Sequence, residues 1–160
     1  LGKLKDYGRN FSRYFSDGIK CWVIGFAVMA VSNVILSYVT GDIAANEEAN
    51  REFISGNLFL GFYSVVIMAP FVEEMIFRFG IRRMVFSDKW FPLVTAIMFG
   101  LAHIVFADTS SILEYFYVIP YGALGYAFGY IYAKTDNIYS SMVLHALHNF
   151  ISFMAVSFMV

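Results

Sequence analysis

The sequence predicts an all-α fold, a polytopic transmembrane helix bundle of about five spans. Composition is the first reason. Of 160 residues, 59% are hydrophobic and 14% charged, against roughly 45–50% and a quarter in ordinary soluble domains; mean hydropathy is +0.65. Segmentation is the second, because apolar runs near the ~20 residues needed to cross a bilayer recur along the chain. The third is the distribution of Lys and Arg, which alternates between successive loops. Together these exclude a freely soluble enzyme, a disordered chain and a nucleic-acid module with a basic face. Net charge is -1, and the single Cys21 excludes an intrachain disulfide framework or a Cys-based zinc site. Leu1 is not an initiator methionine, the start expected of a trimmed or internal piece.

Residues 1–18 are polar and basic, with interleaved Tyr7, Phe11, Tyr14 and Phe15, and read as a cytoplasmic juxtamembrane segment. The first span is 19–39, too long for a secretory h-region and without a cleavage signal. Loop 40–56 is the longest polar stretch and reads as an external arm. The remaining spans are 57–83, 91–107, 115–133 and 137–159, and 57–159 forms a four-helix core. Trp22, Tyr38, Trp90, Tyr115, Tyr132 and Tyr139 fall near proposed span ends, as an aromatic belt requires. The N-terminal arm and segment 78–89 are rich in Lys and Arg. Loops 40–56 and 108–114 are poor in them, and Lys134 marks the last loop. The positive-inside rule then puts the N-terminus in the cytoplasm.

Ionisable residues inside spans are costly, and by default they mark function. Glu73, Glu74 and Arg78 interrupt the second span; His103 lies in the third; His145, His148 and Asn149 lie in the last. At 1.5 Å rise per residue, Glu73, His103 and His145 lie roughly 12–18 Å inside their spans, one common layer. Glu74 and Arg78 are at i and i+4, the spacing and order that pair best along a helix. Glu73 points about 100° away and is left without an obvious cation, which suits a general base. His145 and Asn149 share a face. Pro70 removes a backbone bond one turn before the acidic pair, freeing the carbonyl of Val66 and opening room for water. His148 reads as structural, and Gly122, Gly125 and Gly129 read as a close-packing stripe.

Glu-Glu-x-x-x-Arg at 73–78, Phe-x-x-x-His at 99–103 and His-x-x-x-Asn at 145–149, in that order, resemble the motifs of the CAAX protease and bacteriocin-processing family. These are intramembrane endopeptidases, also described as abortive-infection-type proteins. The resemblance spans about residues 57–159. It implies that Glu73 and His103 activate a water and that His145 and Asn149 stabilise the oxyanion, with Glu74 and Arg78 in support. Family members usually carry additional spans before this core.

The expected activity is hydrolysis of a peptide bond in a membrane-associated, prenylated or leader peptide that approaches from the cytoplasmic side. The bilayer is a partner, nucleic acid is not, and the compact sequence suggests a bacterial plasma membrane. No cofactor is expected; zinc on the His145/His148 pair is the alternative chemistry. A non-proteolytic membrane or cell-wall partner protein, or a bacteriocin-immunity protein, is the alternative function. A proton-coupled transporter with a Glu/His relay would need an inverted repeat, and none is visible.

Overall fold

The computed structural model describes residues 2–105 and 112–159. Among them there is no strand, and the helices are α1 Gly2–Thr40, α2 Ala45–Gly56, α3 Leu58–Gly80, α4 Phe91–Ile104, α5 Val118–Thr135 and α6 Ile138–Ser157. A 3-10 stretch, Ile112–Tyr117, leads into α5. The all-α bundle is as the sequence predicts. By length and composition α1 and α3 can each cross a membrane, and α4 is a shorter apolar helix. Residues 106–107 of the expected third span and 108–111 of the loop after it lie outside the described residues.

The basic arm and the first span are one unbroken helix. Its 39 residues extend roughly 58 Å, nearly twice the ~30 Å hydrocarbon core. Its buried residues are Tyr7, Tyr14, Gly18 and Gly25, spaced so that they form one stripe, as in a heptad seam. The N-terminal end of that stripe docks on the α5–α6 turn. Asn137 Nδ2 donates to the Lys3 carbonyl and to Asp6 Oδ2, both at 2.8 Å, and the Lys3 ammonium pairs with Asp136. Asp136 itself sits in the left-handed region (φ 47°) and ends α5. Asn137 then caps α6 through the Tyr139 N–H at 3.1 Å.

Residues 40–56 do not remain an open arm. Gly41, at φ +80°, turns the chain away from α1, and α2 follows as a short amphipathic helix. Ile54 is its buried anchor, packed with Val66 and Phe153. Glu47 and Arg51 pair on its polar side. Asn57 then caps α3 through the Leu60 N–H at 3.0 Å.

The small-residue stripe does close-pack helices. A Cβ on Gly125 would lie 2.9 Å from Phe99 Cβ, and one on Gly129 would lie 2.1 Å from Thr95 Oγ1. α4 and α5 can approach this closely only where α5 has no side chain. The outward surface is apolar: Val23, Ile24, Val31, Val34 and Ile35 of α1 are all exposed. Such a contiguous greasy face fits lipid rather than water. Apart from buried Arg78, every Lys and Arg except Arg51 lies toward the end of the bundle that carries the α5–α6 turn. Asp42, Glu47, Glu48 and Glu52 lie at the α2 end.

Candidate active site

Helix α3 is not a uniform α-helix. Phe62–Met68 and Met75–Gly80 run in the π register, flanking the α-turn Ala69–Glu74 that carries both acids. Pro70 accounts for the first break. In a π register each N–H reaches the carbonyl five residues back, and Ala69 N–H donates to Ser64 O in this way. The next bond in that register would run from residue 70 to Val65 O, and proline has no N–H. Asn149 of α6 takes that place, donating Nδ2 to Val65 O at 2.8 Å. The expectation that Pro70 frees Val66 assumed an α register. The carbonyl that Asn149 serves is Val65's, one residue before the one an α register would free.

Glu74 and Arg78 form the foundation of the site. Both side chains are fully buried, with Arg78 Nη1 3.3 Å from Glu74 Oε1. Arg78 Nη2 also donates to Gly125 O at 3.2 Å, a carbonyl within reach because α5 has no side chain there. The guanidinium lies over the rings of Phe99 (4.8 Å) and Phe128 (5.4 Å), a desolvated setting in which cation–π attraction is strong. Glu74 Oε1 accepts in turn from His145 Nδ1 at 2.9 Å.

That bond sets the orientation of His145. With Nδ1–H donated to Glu74, Nε2 faces Glu73 Oε2 at 3.7 Å. His103 is held in the same way by a different acceptor. Its Nδ1 lies 2.8 Å from the Phe99 carbonyl, which can only accept, so its Nε2 also faces Glu73 Oε2, at 3.9 Å. Phe128 stacks on His145 (4.7 Å between ring centroids) and Tyr121 on His103 (4.5 Å). Both imidazoles are therefore fixed in plane and in tautomer.

Glu73 Oε2 thus sits between two ring nitrogens, beyond direct hydrogen-bond reach of each. It has no hydrogen-bond partner among the described residues. A water placed about 2.8 Å from the carboxylate and from either Nε2 satisfies both distances. The three spans do bring Glu73, His103 and His145 to one point. Asn149 lines the same cavity, with one amide hydrogen on Val65 O and a second left to donate. His148 also lines it, but packs edge-on against Trp22 and Phe26. Among the described residues no three His, Cys, Asp or Glu side chains are grouped to hold a metal ion.

The cavity is about 480 Å³. Glu73, Phe99, His103 and His145 form one part of its wall. Asn46, Asn50 and Arg51 of α2 and Val156 and Met159 at the end of α6 form another. It therefore extends toward the α2 end of the bundle, away from the basic arm. Sequence reasoning did not single out Phe128, Tyr121 or the Gly125 carbonyl. Tyr121 and Phe128 flank the glycine stripe on α5, and that spacing is the one available signal.

Residues 55–151 match the type II CAAX prenyl endopeptidase Rce1-like family. The chain belongs to this family. The matched region runs from the end of α2 through Asn149 and holds every residue of the Glu73–His103–His145 cluster and its support. The chain is 26% identical over 137 residues to "UPF0177 protein YvdC" of Lactococcus lactis subsp. lactis (strain IL1403), covering 79% of this chain and 49% of that protein. It is 27% identical over 124 residues to "UPF0177 protein YxdF" of the same strain, covering 76% and 62%. It is also 30% identical over 86 residues to "Putative membrane peptidase YdiL" of Bacillus subtilis (strain 168), covering 52% and 32%. The chain thus spans about half to three fifths of the two lactococcal relatives. No solved structure matches it. For an Rce1-like protein, the geometry answers a specific question: how two acids one residue apart receive different surroundings. Glu74 is tied into the packed α3–α5–α6 interface, whereas Glu73 is left facing the cavity.

Proposed function

We propose that this chain is the core of an intramembrane endopeptidase that hydrolyses a peptide bond in a membrane-associated substrate. The observation that carries the reading is Glu73 Oε2 between two imidazoles, each turned toward it by a second acceptor. Glu73, with His103, takes a proton from water as the water oxygen bonds to the scissile carbonyl carbon. The carbonyl oxygen becomes an oxyanion, met by the free amide hydrogen of Asn149 and by His145 Nε2–H when that ring carries both protons. Collapse breaks the C–N bond, and the proton held on Glu73 passes to the leaving amine. The proton that Glu73 takes from the water is the one returned to the leaving amine, and the hydroxyl left by the water completes the new carboxyl group, so the hydrolysis balances.

Substrate access is proposed from the α2 end, because α2 residues line the cavity. With the basic end in the cytoplasm, that is the outer face of the membrane. This reverses the cytoplasmic approach suggested by the sequence. It favours exported leader or pro-peptides over cytoplasmic prenylated tails.

The test uses the full-length protein in proteoliposomes with membrane-anchored peptides. Glu73→Gln and His103→Ala each lower turnover by about 10²–10⁴-fold, the usual worth of a positioned acid–base group, with the thermal midpoint preserved. Activity persists in a chelator. Full activity in Glu73→Gln overturns the reading in favour of a non-proteolytic partner protein. Loss of activity on chelation, restored by zinc, overturns the metal-free mechanism.

A further inference from the structure

A second cavity, about 550 Å³, runs between α1 and α5 and shares no lining residue with the first. Its two walls are antiparallel. On α1 it extends from Asp17 to Val28, and on α5 from Lys134 to Ala123. Eleven helical steps on each wall give a length of roughly 16 Å. The floor is set where the helices nearly touch: a Cβ on Gly25 would lie 2.9 Å from Ala127 Cβ and 3.0 Å from the Ala123 carbonyl. The lips are exposed and apolar, Ile24 and Val28 on one side and the rings of Tyr126 and Tyr130 on the other.

Polarity is confined to one end. Lys134 Nζ meets Asp17 Oδ2 at 3.1 Å, which neutralises that pair. Lys20, one turn further along α1, makes no hydrogen bond or ion pair among the described residues. The lining therefore carries a net charge of +1, at the basic end of the bundle, while the remaining length, roughly 10 Å from Cys21 to Val28, is hydrocarbon-like. An occupant must be amphiphilic, with a single-chain-wide apolar tail and one negative charge at the head. Two ammonium groups and one carboxylate match a phosphodiester. They do not match a zwitterionic head, whose own cation would face Lys20.

We infer that the α1–α5 groove binds one anionic phospholipid, its acyl chain along Gly25, Ala123 and Ala127 and its phosphate on Lys20 and Lys134. Bound there, the lipid spans the contact between the first helix and the Rce1-like core. It holds α1 against α5 at a place where the helices have only small residues with which to grip. The inference does not depend on the peptidase reading.

The full-length protein, delipidated in detergent, is titrated with dioleoyl phosphatidylglycerol or dioleoyl phosphatidylcholine and followed by native mass spectrometry. One phosphatidylglycerol is retained about tenfold more tightly than phosphatidylcholine, as two lysines near a phosphate supply. The preference disappears in Lys20→Gln/Lys134→Gln. Ile24→Trp, which fills the groove from its exposed lip, lowers occupancy by both lipids without touching a charge. Equal binding of the two lipids by the unaltered protein overturns the inference, as does a preference that survives the double substitution in folded protein. Displacement of both lipids by a neutral isoprenoid alcohol at equal concentration also overturns it, in favour of a tail-only groove.

Discussion

Asn149 donates its side-chain amide to the carbonyl of Val65 at 2.8 Å, across the α6–α3 interface. That carbonyl is the one Pro70 cannot serve. A carbonyl left without a donor costs at most about 1–3 kcal/mol when buried; this half-buried one is served by a side chain from another helix, which completes the π-register turn. The third motif is thereby tied to the first by backbone chemistry, four residues from the histidine it accompanies.

Removing that amide destabilises α3 where it carries its acids. Asn149→Ala lowers stability by about 1–3 kcal/mol, read as a shift in the thermal midpoint. In a Pro70→Ala background, residue 70 has its own N–H to offer and the cost of Asn149→Ala becomes small. A double-mutant cycle measures the coupling. Equal costs in both backgrounds would separate Asn149 from the proline break.

Arg78 is held by charge, backbone and rings at once. Arg78→Ala strands a fully buried Glu74 and costs about 3–5 kcal/mol, as breakage of a buried pair does. Arg78→Lys restores the charge but not the planar fork or the stacking, and recovers only part of the loss. Denaturant titration in micelles distinguishes the three proteins. Full recovery by lysine would reduce the site to a point charge.

The α4–α5 contact is the steric keystone of the site. Gly129→Ala puts a methyl group 2.1 Å from Thr95 Oγ1, an overpacking worth about 1–3 kcal/mol. Thr95→Ala relieves that clash, so Gly129→Ala/Thr95→Ala is more stable than Gly129→Ala alone. Thermal midpoints of the pair check it; an unrelieved double variant would place the strain on the Pro92 backbone instead.

Docking of the basic arm depends on pH through Asp6. The Asn137 amide first, with the Tyr14 hydroxyl and the Asn10 amide, holds the Asp6 carboxyl below its ordinary range. A carboxyl lowered on folding contributes stability that is present above its unfolded pKa near 4. That stability is lost as pH falls through the lower folded value. Amide protection factors across residues 2–18, taken against the unfolded chain at the same pH, therefore fall below about pH 4, and Asp6→Ala lowers them already at neutral pH. Arm protection unaffected by acid, or by Asp6→Ala, contradicts this docking.

The residues themselves determined that the chain is a helical membrane bundle. Hydropathy and charge alternation are local properties, and about 20 apolar residues in a row have few other uses. They also singled out the polar side chains that the structure gathers at the cavity and beneath it: a charged or polar group inside an apolar run stands out whatever surrounds it, so Glu73, Glu74, Arg78, His103, His145 and Asn149 were all legible.

Tertiary structure alone decided the different surroundings of those groups. Glu73 and Glu74 are chemically identical neighbours. One meets Arg78 and His145 inside the packed interface and the other faces a cavity, because of where α5 and α6 pass. The carbonyl of Val65, one residue before the one an α register would free, is the one Asn149 serves, because the helical register of α3 answers to its packing, which no local pattern records. The α2 helix, the stacking of Phe128 and Tyr121 on the two imidazoles, and the side to which the cavity extends were also set there. Each depends on contacts between segments far apart in the chain, and periodicity within a segment carries no information about its partner.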